Sequence, residues 1–150
     1  MKKYWVGIWG ILLFFLGACS NELPGKEAPI PSVTSFNVNK QSNIEVPHVA
    51  ETICWNNCSV DNKDPYSIQP KEPFDIENDN PISISFKEME PKPSTINLIN
   101  ETTGEHFQFE TNWVNLTPPD KGEHIYRIHL FWNSDKGAPL GESMYVFSVR

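Results

Sequence analysis

An antiparallel all-β sandwich of about seven strands is what this 150-residue chain predicts, on three observations. First, short apolar runs alternate with polar residues at period two, the pattern of half-buried strands. Ile82, Ile84 and Phe86 point one way and Ser83 and Ser85 the other; Ile96 and Leu98 alternate with Thr95 and Asn97; Phe107 and Phe109 alternate with His106, Gln108 and Glu110. Second, ten prolines stand from Pro47 onward and no segment carries a sustained 3.6-residue apolar stripe, which leaves helices little room. Third, the chain ends in two aromatic-rich alternating runs. Tyr126, Ile128, Leu130 and Trp132 share one face of 124–132, and Tyr145, Phe147 and Val149 share one face of 144–150.

Taken from the start, Met1-Lys2-Lys3 is a positive n-region, and Tyr4 to Leu16 is a mostly apolar run too short to span a bilayer. Leu16-Gly17-Ala18-Cys19 closes it. This stretch resembles the bacterial lipobox that signal peptidase II cleaves. The resemblance implies a signal peptide over 1–18, diacylglycerol linked to Cys19, further acylation such as palmitate, and Cys19 as the new N-terminus. It places the protein at the cell membrane, lipid-anchored on the extracytoplasmic face, since two acyl chains hold stably where one is marginal.

Residues 19–43 read as a flexible linker. They carry Pro24, Gly25, Pro29 and Pro31 among Ser and Asn residues, without a sustained apolar period. The alternative for part of this stretch is a first strand through Val33, Phe36 and Val38. The domain then spans 44–150. Glu101-Thr102-Thr103-Gly104 closes a hairpin, with Gly104 able to take positive φ. Thr117 to Gly122 breaks the chain before the penultimate strand, and Asn133 to Glu142 reads as a long loop joining the final pair. From Glu72 to Arg150 the chain resembles the immunoglobulin-like domains of uncharacterised lipoproteins from spore-forming bacteria, through Gly122, Tyr126, Trp132, Tyr145, Phe147 and Val149. That likeness implies an Ig-like β-sandwich and no particular activity.

Lysine and arginine number 12 against 19 aspartates and glutamates, a net charge of −7, and loss of Lys2 and Lys3 with the signal takes it to about −9. No basic block is present, which argues against nucleic acid and against lying flat on an anionic membrane. After Cys19, the pair Cys54 and Cys58 remains, and in an exported chain it points to one disulfide.

The motifs that carry chemistry are few. Cys54-x-x-x-Cys58 also resembles the motif of membrane-anchored copper chaperones, which would make the pair a Cu(I) or thiol-redox carrier. Those proteins have alternating helices and strands and a proline after the second cysteine, where this chain has Ser59. His124 and His129 lie an odd number of residues apart on one strand and face opposite sides, so they do not chelate one ion together. Asp75 to Asn80 begins like a calcium loop, but Asn80 stands where glycine is needed and Phe86 where the bidentate glutamate belongs. No nucleophile elbow, zincin motif or phosphate loop occurs. The sequence therefore leads us to expect a non-enzymatic module without cofactor or metal, binding an envelope protein or ligand. Its candidate surface is the outward face of the last two strands: Ile125, Arg127, His129 and Phe131 with Met144 and Val146.

Overall fold

A computed structural model describes residues 22–58, 64–76, 80–110, 112–117 and 122–150; the expected signal peptide over 1–18 and Cys19 lie outside them. Among the described residues nine strands follow in chain order: β1 (Ser32–Asn37), β2 (Ser42–Glu45), β3 (Val49–Trp55), β4 (Ile82–Ser85), β5 (Thr95–Asn100), β6 (Glu105–Phe109), β7 (Trp113–Leu116), β8 (His124–Asn133) and β9 (Pro139–Val149). Among the described residues, helix is confined to one 3-10 turn, Pro65–Ser67. No helix among them is long and apolar enough to cross a membrane.

All pairings between these strands are antiparallel, in two sheets of order β2-β1-β4-β7 and β3-β9-β8-β5-β6. The order β1-β4-β7 facing β9-β8-β5 follows the A-B-E against G-F-C order of an immunoglobulin sandwich, with β6 in the place of C′. The expected all-β sandwich is what forms.

Alternation accounts for the core. Ile82, Ile84, Val114 and Leu116 of the smaller sheet meet Ile96, Leu98, Ile128, Leu130, Trp132, Tyr145 and Phe147 of the larger one. Tyr126, Ile128, Leu130 and Trp132 all face inward, as their spacing predicts, and so do Tyr145, Phe147 and Val149. The Glu101–Gly104 turn joins β5 to β6 with Gly104 at φ 76°. At this turn Asn100 is buried and its side chain accepts hydrogen bonds from the amides of Thr102 and Thr103.

Three expectations change. The long loop over Asn133–Glu142 shrinks to five residues, because β9 begins at Pro139 and Gly141 pairs with Trp132. Ser134 and Gly137 close this turn, the Gly137 amide donating to the Ser134 carbonyl at 2.8 Å. Among the described residues the strands number nine rather than about seven, since β1 lies in the stretch read as linker and Trp113–Leu116 is a four-residue edge strand too short to stand out as a period.

The largest change is at the N-terminus, where residues 22–43 are not a linker. β1 pairs with both β2 and β4, with Val33, Ser35 and Asn37 turned into the sandwich. Two of those three inward residues are polar, which hides the strand from a hydropathy reading. The alternative of a first strand docking on the domain is therefore the one that forms, through Val33; Phe36 and Val38, 42% and 45% exposed, do not join it in the core.

Residues 22–31 form a strap across β3 and β9. Ala28 is in the core, its amide 3.3 Å from Thr52 Oγ1. The Tyr145 hydroxyl donates to the Pro29 carbonyl at 2.7 Å, and burial pushes that phenol above its ordinary range, so it remains a neutral donor. At the near end Asn56 and Leu23 exchange two hydrogen bonds: the Leu23 amide donates to Asn56 Oδ1 at 2.5 Å, and Asn56 Nδ2 donates to the Leu23 carbonyl at 2.8 Å. Trp55 Nε1 donates to the Pro24 carbonyl. Gly141 lets this junction close, because a Cβ there would lie within 2.8 Å of both Trp55 and Leu23.

Candidate functional site

Cys54 and Cys58 form a disulfide, with Cα atoms 5.1 Å apart. The small ring it closes begins in the last two residues of β3 and contains Asn56, which adopts the left-handed φ of 61° that asparagine tolerates. That conformation aims the Asn56 side chain at Leu23. Cys54 is buried, packed at the end of the strand. The ring therefore shapes a clamp for the strap.

We expect Cys54→Ser/Cys58→Ser to lower stability by about 2 kcal/mol, the loop-closure value for a ring of about five residues. The protein as purified without reductant should contain no free thiol at these positions. Mass measurement followed by melting of the double variant checks both; a free-thiol pair in native protein contradicts the structural role.

The outward strip expected on the last two strands is divided in two. Met144, Val146 and Arg127 are buried, and Ile125 is partly so. They are covered because the chain, on its way from β3 to β4, crosses the outer face of the larger sheet. Ile68 packs with Ile53, Met144 and Val146 as a second small core, with Val49 and Ile125 against it. Arg127 lies beneath this crossing. Its Nε and Nη2 donate to Glu101 at 2.6 and 3.1 Å, Nη2 also donates to the Ile68 carbonyl at 3.2 Å, and its guanidinium stands 5.5 Å from the Tyr66 ring centroid. As a single open contact face, the strip does not form.

His129 and Phe131 remain, and they line a groove of about 590 Å3 beside the crossing. Antiparallel register builds its floor. Gln108, Asn97 and His129 stand in one row across β6, β5 and β8, and His106 and Ile99 stand in the next. Tyr66, 57% exposed, rises at its rim from the 3-10 turn, where Asp64 accepts the Tyr66 amide at 2.9 Å. The volume falls within the range of small-ligand sites, and the lining mixes aromatic rings with amides and imidazoles. Asn97, Gln108, His106 and Tyr66 are contributions that sequence reading missed. Their strands were legible, but only strand pairing puts three separate segments side by side.

Comparison with known protein families, curated proteins and solved structures gives no match. The groove's own chemistry carries the functional argument.

His129 Nε2 lies 2.7 Å from Glu142 Oε1, and its ring centroid is 4.1 Å from that of Phe131. Distance alone would make the first contact an ion pair. Burial, however, holds the imidazole below its ordinary range, with Arg127 pushing the same way, and outweighs the Glu142 hydrogen bond that favours the charged form. At neutral pH His129 is therefore a neutral ring whose Nε2–H donates to Glu142, leaving Nδ1 as an acceptor.

The sign of the pH dependence follows. The unfolded chain takes up a proton as pH falls through about 6.5, before native His129 does, so stability falls from there and levels off once the native ring protonates. His129→Gln should flatten that acid limb. Denaturant titrations across the range test this, and an acid limb unchanged in the variant contradicts it.

The other expected features stand apart. His124 Nδ1 is hydrogen-bonded to Asn100 Nδ2, and His48 Nδ1 lies 3.2 Å from the Val46 carbonyl. Among the described residues, no three His, Cys, Asp or Glu side chains gather where they could hold a metal. Asp75 of the acidic stretch pairs with Arg150 on the surface; the rest of that stretch up to Asp79, apart from Ile76, lies outside the described residues.

Proposed function

We propose that this chain is a non-enzymatic lipoprotein, held through Cys19 on the extracytoplasmic face of the cell membrane. Its groove at Tyr66, Asn97, His106, Gln108, His129 and Phe131 takes an envelope protein or ligand. The single observation that supports binding is the convergence of those side chains from four segments into one concave surface lined by no Lys, Arg, Asp or Glu. The lipobox at Leu16–Cys19 supports the location. An occupant that fits has an apolar face to lie on Phe131 or Tyr66 and neutral hydrogen-bonding groups for the amides. The alternative, a thiol-redox or copper carrier, finds less support: Cys54 is buried, and the ring it closes positions Asn56 against Leu23.

The test uses anchored protein in native membranes, carrying a photo-crosslinking residue at Gln108 or, as a control, at Ser83 on the outer face of the other sheet. Adducts should form from Gln108 and disappear with Asn97→Ala. That variant should melt close to wild type, since surface changes usually stay within about 0.5 kcal/mol. Adducts formed equally from both positions, or from neither, overturn the groove reading. Cys19→Ala should abolish fatty-acid labelling; retained label overturns the anchor.

A further inference from the structure

We propose that the end of the sandwich carrying Leu23, the Cys54–Cys58 ring and the Ser134–Ala138 turn is a membrane-facing surface, held close against the bilayer by the lipid on Cys19. The inference rests on the lipid-anchor reading and adds to it an orientation.

The strap carries the argument. A free linker of about 24 residues would have a root-mean-square span of about 25–30 Å and would let the domain tumble well above the lipid. The chain is instead secured at Leu23 by the two-way hydrogen bonding with Asn56, then by the Trp55 bond to Pro24, the Ala28 bond to Thr52 and the Tyr145 bond to Pro29. Only four peptide units separate Cys19 from Leu23, and these reach at most about 14 Å when fully extended.

Leu23 lies against Gly141 and beside Asn56, where β3 ends and β9 begins. The Ser134–Ala138 turn is at this same end, whereas the Glu101–Gly104 turn lies at the other end of β8, with Thr102 Oγ1 3.4 Å from the Glu123 carbonyl. The ten residues of β8 put about 30 Å between the two turns. The strands thus run away from the bilayer. His129, four residues from the near end of β8, opens its groove sideways about 13 Å from that end, so an occupant would meet it close to the membrane surface.

The experiment uses the mature, lipidated protein in vesicles of phosphatidylglycerol and phosphatidylethanolamine containing a headgroup-linked energy-transfer acceptor. A donor fluorophore is placed at Lys136→Cys or at Thr103→Cys, both exposed positions. Transfer should be several-fold stronger from position 136. A Gly/Ser insertion of about 20 residues after Ser20 should lower it and bring the two positions together, without changing the melting temperature. Asn56→Ala, which releases Leu23, should shift the result in the same direction. Equal transfer from the two positions in the wild-type chain, with the protein still floating with the vesicles, overturns the orientation while sparing the anchor. Failure to float removes the anchor itself, and the orientation with it.

Discussion

Truncating Trp132 to alanine should cost about 3–5 kcal/mol, the range for a buried large aromatic. Typical domains are stable by about 5–15 kcal/mol, so this loss should leave much of the protein unfolded at physiological temperature. Trp132 is 1% exposed, meets Trp55 edge-on with ring centroids 5.0 Å apart, and donates through Nε1 to the Pro91 carbonyl at 2.9 Å. The variant therefore loses apolar contact, leaves a cavity between the sheets and strands a carbonyl. Trp132→Phe retains most of the apolar area and gives up the hydrogen bond, for a smaller loss of about 1–2 kcal/mol beyond the volume change. Denaturant unfolding of both variants measures the difference. A Trp132→Ala protein melting within a few degrees of wild type would contradict the packing.

Glu101→Ala should destabilise the protein by about 3 kcal/mol, the lower end of what breaking a buried ion pair costs. Arg127 is 2% exposed, and removal of Glu101 deprives its guanidinium of a carboxylate that compensates its charge. The Glu101 side chain is 29% exposed, so water screens part of the pair and the lower figure applies. The diagnostic is the second step. Arg127→Met on the Glu101→Ala background should recover most of the loss, since an apolar residue of similar length suits the neighbourhood of Ile68, Met144 and Val146. If the double variant is no more stable than Glu101→Ala, the cost lies in packing around the Glu101 turn rather than in a stranded charge. Because Arg127 also holds the Ile68 carbonyl, the single variant should loosen the crossing segment and with it Tyr66 at the groove. Faster amide exchange at Tyr66 and Ser67 would register that.

The all-β class, the inward faces of β8 and β9, the Glu101–Gly104 hairpin and the cysteine pairing were legible in the sequence. Each depends on relations within a few residues: a side-chain period of two, a turn glycine, two cysteines four positions apart. Residues 22–37 were legible only as an alternative first strand through Val33, because what makes the rest of them structure is distant. Pro29 is held by Tyr145, Leu23 by Asn56, and the inward Ser35 and Asn37 of β1 look like linker residues until the rim of a sandwich surrounds them.

The outer strip at Arg127, Met144 and Val146 shows the same division. Alternation assigned these residues correctly to one face, and could not tell that Ile68, nearly sixty positions from Arg127, crosses that face and covers it. The groove lies beyond alternation for a related reason. A row such as Gln108–Asn97–His129 exists only once β6, β5 and β8 have taken one particular register. A slip of one residue would turn every one of those side chains to the opposite face. The sequence by itself determined which residues a strand presents on each side. What lies over that side, and which strands lie next to it, was decided by tertiary contacts, whose energies come from burial and pairing between segments far apart in the chain.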